Sequence, residues 1–209
     1  MTNLIKSYML VFFAGLVLLM TVPTIPITGG NLDAEEFKDQ IQMEIDFESF
    51  YSTLNLNGGE NIVGLFVEEK IALEVVQQPK ASQGYVTAID GIATQFRTAK
   101  YYGSFGFLAH NFLSGENFFD LELGDEITMI DADGNELSYT VSDIRSYEAL
   151  DPRSTRSDFI DLETGEHVGN LDLFHDIYES ENRLVLQTCI EKDGDWEWGR
   201  LFIIAEPST

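Results

Sequence analysis

Residues 184–205 read LVLQTCIEKDGDWEWGRLFIIA. Two short apolar runs, LVLQTCI and RLFIIA, flank the polar loop EKDGDWEWG, and this pattern predicts two strands joined through a turn. The first run ends near Cys189, the only cysteine of the chain, and the second opens at Arg200. A thiol and a guanidinium are thereby set on neighbouring predicted strands.

The chain upstream has the same texture. ENIVGLFVEE and KIALEVVQQP are short, β-branched and bounded by charges; YGSFGFLAH is apolar and glycine-rich; DEITMID and ELSYTV flank the turn ADGN. Residues 93–102 and 171–180 are the expected short helices. Strands outnumber helices, and few connections are long enough for parallel crossovers. The fold class is therefore mainly β, an antiparallel barrel or sandwich with a few short helices.

Composition bounds the function. A chain of 209 residues with 44% hydrophobic content supports one packed domain and an appendage. Lys+Arg 12 against Asp+Glu 36 gives a net charge of −24 and a pI near 4.1. Such a surface repels phosphate backbones, so nucleic acid is excluded as a partner. A single thiol forms no internal disulfide and builds no cysteine-type zinc site.

The N-terminus addresses the protein to a membrane. After MTNLIKS comes YMLVFFAGLVLLM, an uncharged and apolar run, and the first acid is Asp33. Residues 1–30 read as a membrane anchor or signal segment, and the weak small-x-small pattern near Thr28 to Gly30 favours an uncleaved anchor. Lys6 on the short side and the acidic remainder place the globular part outside the cell. Residues 31–59 read as a connector that becomes ordered near Phe50, and residues 60–209 as the catalytic domain.

A sulfur nucleophile requires a thiolate, a group that moves protons, and donors aimed at the carbonyl oxygen that gains charge. Three histidines could serve Cys189. His167 lies in a polar loop and His175 in a predicted helix, whereas His110 ends the apolar run GSFGFLAH where a strand opens into a loop. A rigid strand end fixes a side chain while the loop leaves it accessible, which favours His110.

Three segments in order, FLAHNFLSGENFFDLELGDEITM, VLQTC and GRLFIIA, resemble the histidine, cysteine and arginine motifs of the sortase family. Leu186, Thr188 and Cys189 match its Thr-Leu-x-Thr-Cys pattern, with Val185 in place of the first threonine. His110 is followed by Phe118, Phe119 and Leu121, and Gly124, Asp125 and Ile127 match Gly-Asp-x-Ile. Arg200 opens the last strand. The resemblance, over about residues 60 to 207, implies an eight-stranded β barrel and a membrane-anchored cysteine transpeptidase on the outer face of a bacterial cell membrane. Such an enzyme cuts a sorting-signal peptide, holds it as a thioacyl intermediate and passes it to an amine acceptor. It implies that Cys189 attacks, His110 shuttles the proton and Arg200 steadies the oxyanion, with Ala109 and Thr188 helping to line the groove. Trp196 and Trp198 are assigned to a peptide-gripping wall, with core packing the other reading for one of them. A hydrolytic protease of the same fold and a non-catalytic peptide-binding barrel are the alternatives.

From His110 to Cys189 is 189 − 110 = 79 residues, longer than is usual in the family. The excess falls in SDFIDLETGEHVGNLDLFHDIYESEN, an insertion expected to cover or extend the groove. Glu191, Asp193, Asp195 and Glu197 lie between the thiol and Arg200. A guanidinium at about 4 Å is expected to outweigh solvent-screened acids and favour the thiolate. The segment from Asp131 to Glu136, DADGNE, has the flavour of a calcium loop, but its twelfth position is Ser142 rather than a glutamate. A hairpin turn is expected there; no cofactor is expected, and calcium held by scattered acids is assigned to no residue.

Overall fold

Strand-forming residues dominate residues 46–208, which the computed structural model describes. Ten strands form: β1 (Ile62–Val67), β2 (Ile71–Gln77), β3 (Ile92–Phe96), β4 (Phe105–Leu108), β5 (Glu126–Asp131), β6 (Glu136–Ala149), β7 (Phe159–Asp161), β8 (His167–Val168), β9 (Leu184–Lys192) and β10 (Asp195–Pro207). They pair in the order β10-β9-β4-β3-β2-β1-β5-β6-β7-β8, and β10 also pairs with β6. That last pairing closes the first eight strands of the order into a barrel and leaves no free edge along it. The small β7–β8 hairpin extends from the far end of β6, where Tyr147 opposes Asp161.

Side-chain alternation explains why β9 reads as a continuous apolar run. Leu184 and Leu186 point into the barrel with Phe107, Leu201 and Ile203. Val185 points outward and packs with Phe202, Ile204 and the helix Asn170–Tyr178. A strand buried on both faces loses the polar half of its pattern. Two further short helices, Phe47–Thr53 and Arg97–Tyr101, and the 3₁₀-helix Ser114–Asp120 complete the elements. In chain order the helices are α1 (Phe47–Thr53), α2 (Arg97–Tyr101) and α3 (Asn170–Tyr178). Helix α1 is capped by Asp46, whose carboxylate accepts from Ser49 N at 2.9 Å, and it packs Phe50 and Leu54 against Phe66 and Ile130.

Four local expectations are corrected or completed. Residues 93–102 are not one helix: Ile92–Phe96 is strand β3, filling the gap between β2 and β4, and only Arg97–Tyr101 turns helical. The loop EKDGDWEWG shrinks to the turn Asp193-Gly194, whose φ values of 54° and 86° are those of a two-residue hairpin turn. The insertion holds a small hairpin as well as the expected helix. At Asp131 the chain does form a hairpin turn. Its carboxylate accepts from the backbone N of Asp133 and Asn135 at 2.9 and 2.8 Å and from Asn135 Nδ2 at 2.9 Å. The membrane segment 1–30 and the connector up to residue 45 lie outside the described residues. Among the described residues no helix is long and apolar enough to cross a membrane.

Candidate active site

Three neighbouring strands position the candidate residues. Cys189 on β9 stands directly across from Arg200 on β10, and cross-strand neighbours of this kind hold their Cβ atoms about 5 Å apart. On its other side β9 runs parallel to β4, with Leu108 opposite Gln187. The ladder continues for one residue, through Ala109 N to Gln187 O at 3.2 Å. His110 is the second residue past the end of β4, on the strand that adjoins the one carrying Cys189, and it opens the turn whose Leu113 and Gly115 N–H groups donate to its carbonyl. Phe107, Leu186 and Leu201 face the interior, so Leu108, Gln187, Cys189, Arg200 and Phe202 share the outer face.

Arg200 is held by neutral partners. Its Nη1 donates to the carbonyls of Glu197 and Gly199, both at 2.8 Å, and Nη2 to that of Pro152 at 3.1 Å. These bonds fix the guanidinium without neutralising it, and no carboxylate lies within ion-pair distance among the described residues. A fixed and uncompensated cation beside the thiol suits a group that steadies a developing oxyanion.

The thiol itself departs from the electrostatic expectation. Burial pushes the Cys189 thiol above its ordinary value; Arg200 pulls it down, and Glu197 and Asp195 push it up again. Desolvation is the largest cause, and it outweighs the guanidinium that the sequence leads one to expect would dominate. A thiol raised in this way is mostly protonated at neutral pH.

Ala109 and Thr188 face the barrel interior, 6% and 2% exposed, and not the outer face that carries Cys189. Thr188 Oγ1 donates to Ala109 O at 2.9 Å, a strut between the two strands that carry Cys189 and His110. Gly115, in the 3₁₀-helix, completes it. Its N–H donates to His110 O at 3.0 Å, and a Cβ there would lie 2.4 Å from Thr188 Oγ1. Gly124-Asp125 is likewise structural: Asp125 accepts from Lys70 Nζ and Glu122 N, both at 2.7 Å, fastening the start of β5 to the β1–β2 turn.

Trp196 and Trp198 occupy different settings, because Trp196, Glu197 and Trp198 together stand opposite Glu191 alone in the β9–β10 ladder, and this bulge turns the chain. Trp198 lies half-buried under Lys192, whose Nζ is 4.3 Å from the ring centroid. Trp196 is exposed and meets Phe112 edge-on at 5.8 Å, while Phe112 stacks on His110 at 5.1 Å. Asn111 Nδ2 donates to Trp196 O at 3.0 Å, tying the loop after His110 to the hairpin. Sequence reading passed over Asn111 and Phe112; their position one and two residues after His110 was the available signal. The other histidines are engaged elsewhere: His167 Nε2 lies 3.4 Å from Asp158, and His175 Nδ1 lies 2.7 Å from Glu179.

A cleft of about 390 Å³ opens on the outer face next to this group. Leu108, Gln187, Arg200 and Phe202 form its floor, and helix α3 forms one wall through Phe174 and Tyr178. Leu108 and Gln187 are the outer-face residues two positions before His110 and Cys189, so the cleft leads up to the thiol. Among the described residues no cluster of three or more His, Cys, Asp or Glu side chains could hold a metal ion.

Solved structures to which the chain is similar include Listeria monocytogenes sortase A, at 16% identity over 71% of this chain and 88% of that one, with a TM-score of 0.43. They also include the pilus-related sortase C of Group B Streptococcus, at 13% identity, 74% and 70% coverage and a TM-score of 0.45. A third is the Clostridium perfringens sortase D5 transpeptidase, at 16% identity, 84% and 95% coverage and a TM-score of 0.43. No protein-family model matches the sequence, and no curated protein matches it either.

Proposed function

We propose that this protein is a sortase-like cysteine transpeptidase, and the observation that supports the reading is the pairing of Cys189 with Arg200 on β9 and β10, with His110 two residues past the end of the adjoining strand β4. The thiol attacks a peptide carbonyl carbon while His110 takes its proton, and the carbonyl oxygen becomes an oxyanion beside Arg200. The C–N bond then breaks, the departing amine takes the proton from His110, and the acyl group remains on sulfur as a thioester. An incoming amine attacks the thioester, its proton passes to His110, and the thiol is restored. The acyl side of the peptide lies in the cleft over Gln187, and the amine enters on the open side by Phe112 and Trp196. The substrate is a sorting-signal peptide of a surface protein, and residues 1–30 hold the enzyme in the bacterial cell membrane with its catalytic domain outside.

The test uses the full-length chain in detergent, a peptide library and added amines, with mass spectrometry of Cys189. A thioester on Cys189 and an amine-dependent joined product are expected. Cleavage or joining that survives Cys189→Ala overturns the reading, and hydrolysis indifferent to amine assigns a protease instead.

A further inference from the structure

The cleft beside β9 is lined by apolar side chains such as Leu108, Phe174 and Phe202 and by polar ones that include the carboxamides of Gln83, Asn170 and Gln187; of the three, Gln187 alone lies on β9, between Leu186 and Thr188. Gln187 is anchored from the insertion: Tyr178, in helix α3, donates its hydroxyl to Gln187 Oε1 at 2.6 Å. Tyr178 is 2% exposed, so its hydroxyl cannot turn to water. Burial also pushes its phenol far up, so it remains a donor at every physiological pH. Among the described residues Gln187 Oε1 is the hydroxyl's only acceptor, and an amide nitrogen has no lone pair to offer in its place. A buried hydroxyl left unpaired bears its desolvation cost with nothing in return, and this fixes the orientation of the carboxamide. With Oε1 held by Tyr178, the Nε2 hydrogens are left over. Nε2 donates to no protein group among the described residues, although Gln187 lines the cleft.

We propose that Gln187 is a specificity-determining residue of the cleft, donating from Nε2 to a carbonyl of an extended peptide whose apolar side chain seats against Phe174 and Phe202, and that Tyr178 positions it. An extended peptide is the occupant because two residues of the cleft adjoin Cys189, Arg200 across the ladder and Gln187 along the strand, and because the cleft has the volume of a small-ligand site. Gln187 lies two residues from Cys189 on the same face, about 7 Å along the strand. The carbonyl it meets therefore belongs about two residues from the reacting one. This inference rests on the peptide-transferring reading for the ligand class, but its test needs no turnover.

The full-length Cys189→Ala protein selects binders from a random hexapeptide library, and the selected peptide serves as the probe. Three variants are made in that background. Gln187→Glu keeps the acceptor for Tyr178 and replaces the outward donor with an acceptor; Gln187→Leu removes both; Tyr178→Phe frees the carboxamide to rotate. Gln187→Glu and Gln187→Leu are expected to weaken binding about three- to tenfold, and Tyr178→Phe by less. Gln187→Glu should also reselect peptides bearing a donor at the matching position, a change that a purely structural role would not produce. Unchanged affinity and selection in Gln187→Glu, or no hexapeptide bound by the parent, overturns the proposal. Absence of a thioester on the native chain would instead overturn the transpeptidase reading and leave the binding result standing.

Discussion

At Cys189 burial and the Arg200 charge act in opposite directions, and the balance sets how much thiolate is present. Burial raises the thiol, Arg200 lowers it, and Glu197 and Asp195 raise it. A raised thiol pKa leaves little thiolate at neutral pH, so the rate of alkylation by iodoacetamide should climb with pH until it passes the folded-state value, above the ordinary thiol's 8.5 or so. Glu197→Gln removes a raising charge and should move that midpoint down. Arg200→Gln removes the lowering charge and should move it up. A downward shift in Arg200→Gln would show that the guanidinium does not face the sulfur. The acids between Cys189 and Arg200 were legible in the sequence, but their weight was not. Desolvation depends on what covers a side chain, and that is set by the fold and not by its neighbours in sequence.

Among the elements, the end of β4 is coupled to β9 by a buried strut as well as by their ladder. Thr188 Oγ1 bonds Ala109 O, and Gly115 lies against both through the turn that follows His110. Gly115→Ala would put a Cβ 2.4 Å from Thr188 Oγ1 and 2.8 Å from two backbone carbonyls. Backbone cannot yield as a flexible side chain can, so about 1–3 kcal/mol of stability should be lost. The shift would also carry His110 away from Cys189. Thermal unfolding should register the first effect and peptide turnover the second, and a variant with wild-type values of both would show the strut to be slack. The sequence disclosed these elements unevenly. The hairpin at Asp131 was legible because turn residues sit between two alternating runs. Strand β3 was read as helix because IATQF lacks clean alternation. Ala93, Thr94 and Gln95 are all buried in the structure, so both faces are covered and polarity carries no signal.

For the whole molecule the barrel's closure was legible only as a class. Antiparallel neighbours joined by tight turns announce themselves, as β1–β2, β5–β6 and β9–β10 do. The parallel pairings β2–β3 and β4–β9 unite segments whose contact nothing local records, and β4–β9 is the pairing that builds the site. Most of the acids behind the chain's net charge of −24 lie on this closed body. Self-repulsion among them opposes compactness. Against it stand exposed or half-exposed pairs such as Lys70–Asp125 and Arg183–Glu206, each worth about 0–1 kcal/mol. Salt weakens both kinds of interaction, cutting the Debye length from about 10 Å at 0.1 M towards 3 Å at 1 M. The pairs are in contact and lose little to screening, whereas the repulsion is summed over longer distances and loses most. Raising sodium chloride from about 0.02 to 0.5 M should therefore raise the melting temperature by a few degrees. A melting temperature that falls instead would show that paired charges, despite their small number, outweigh the field of the acidic surface.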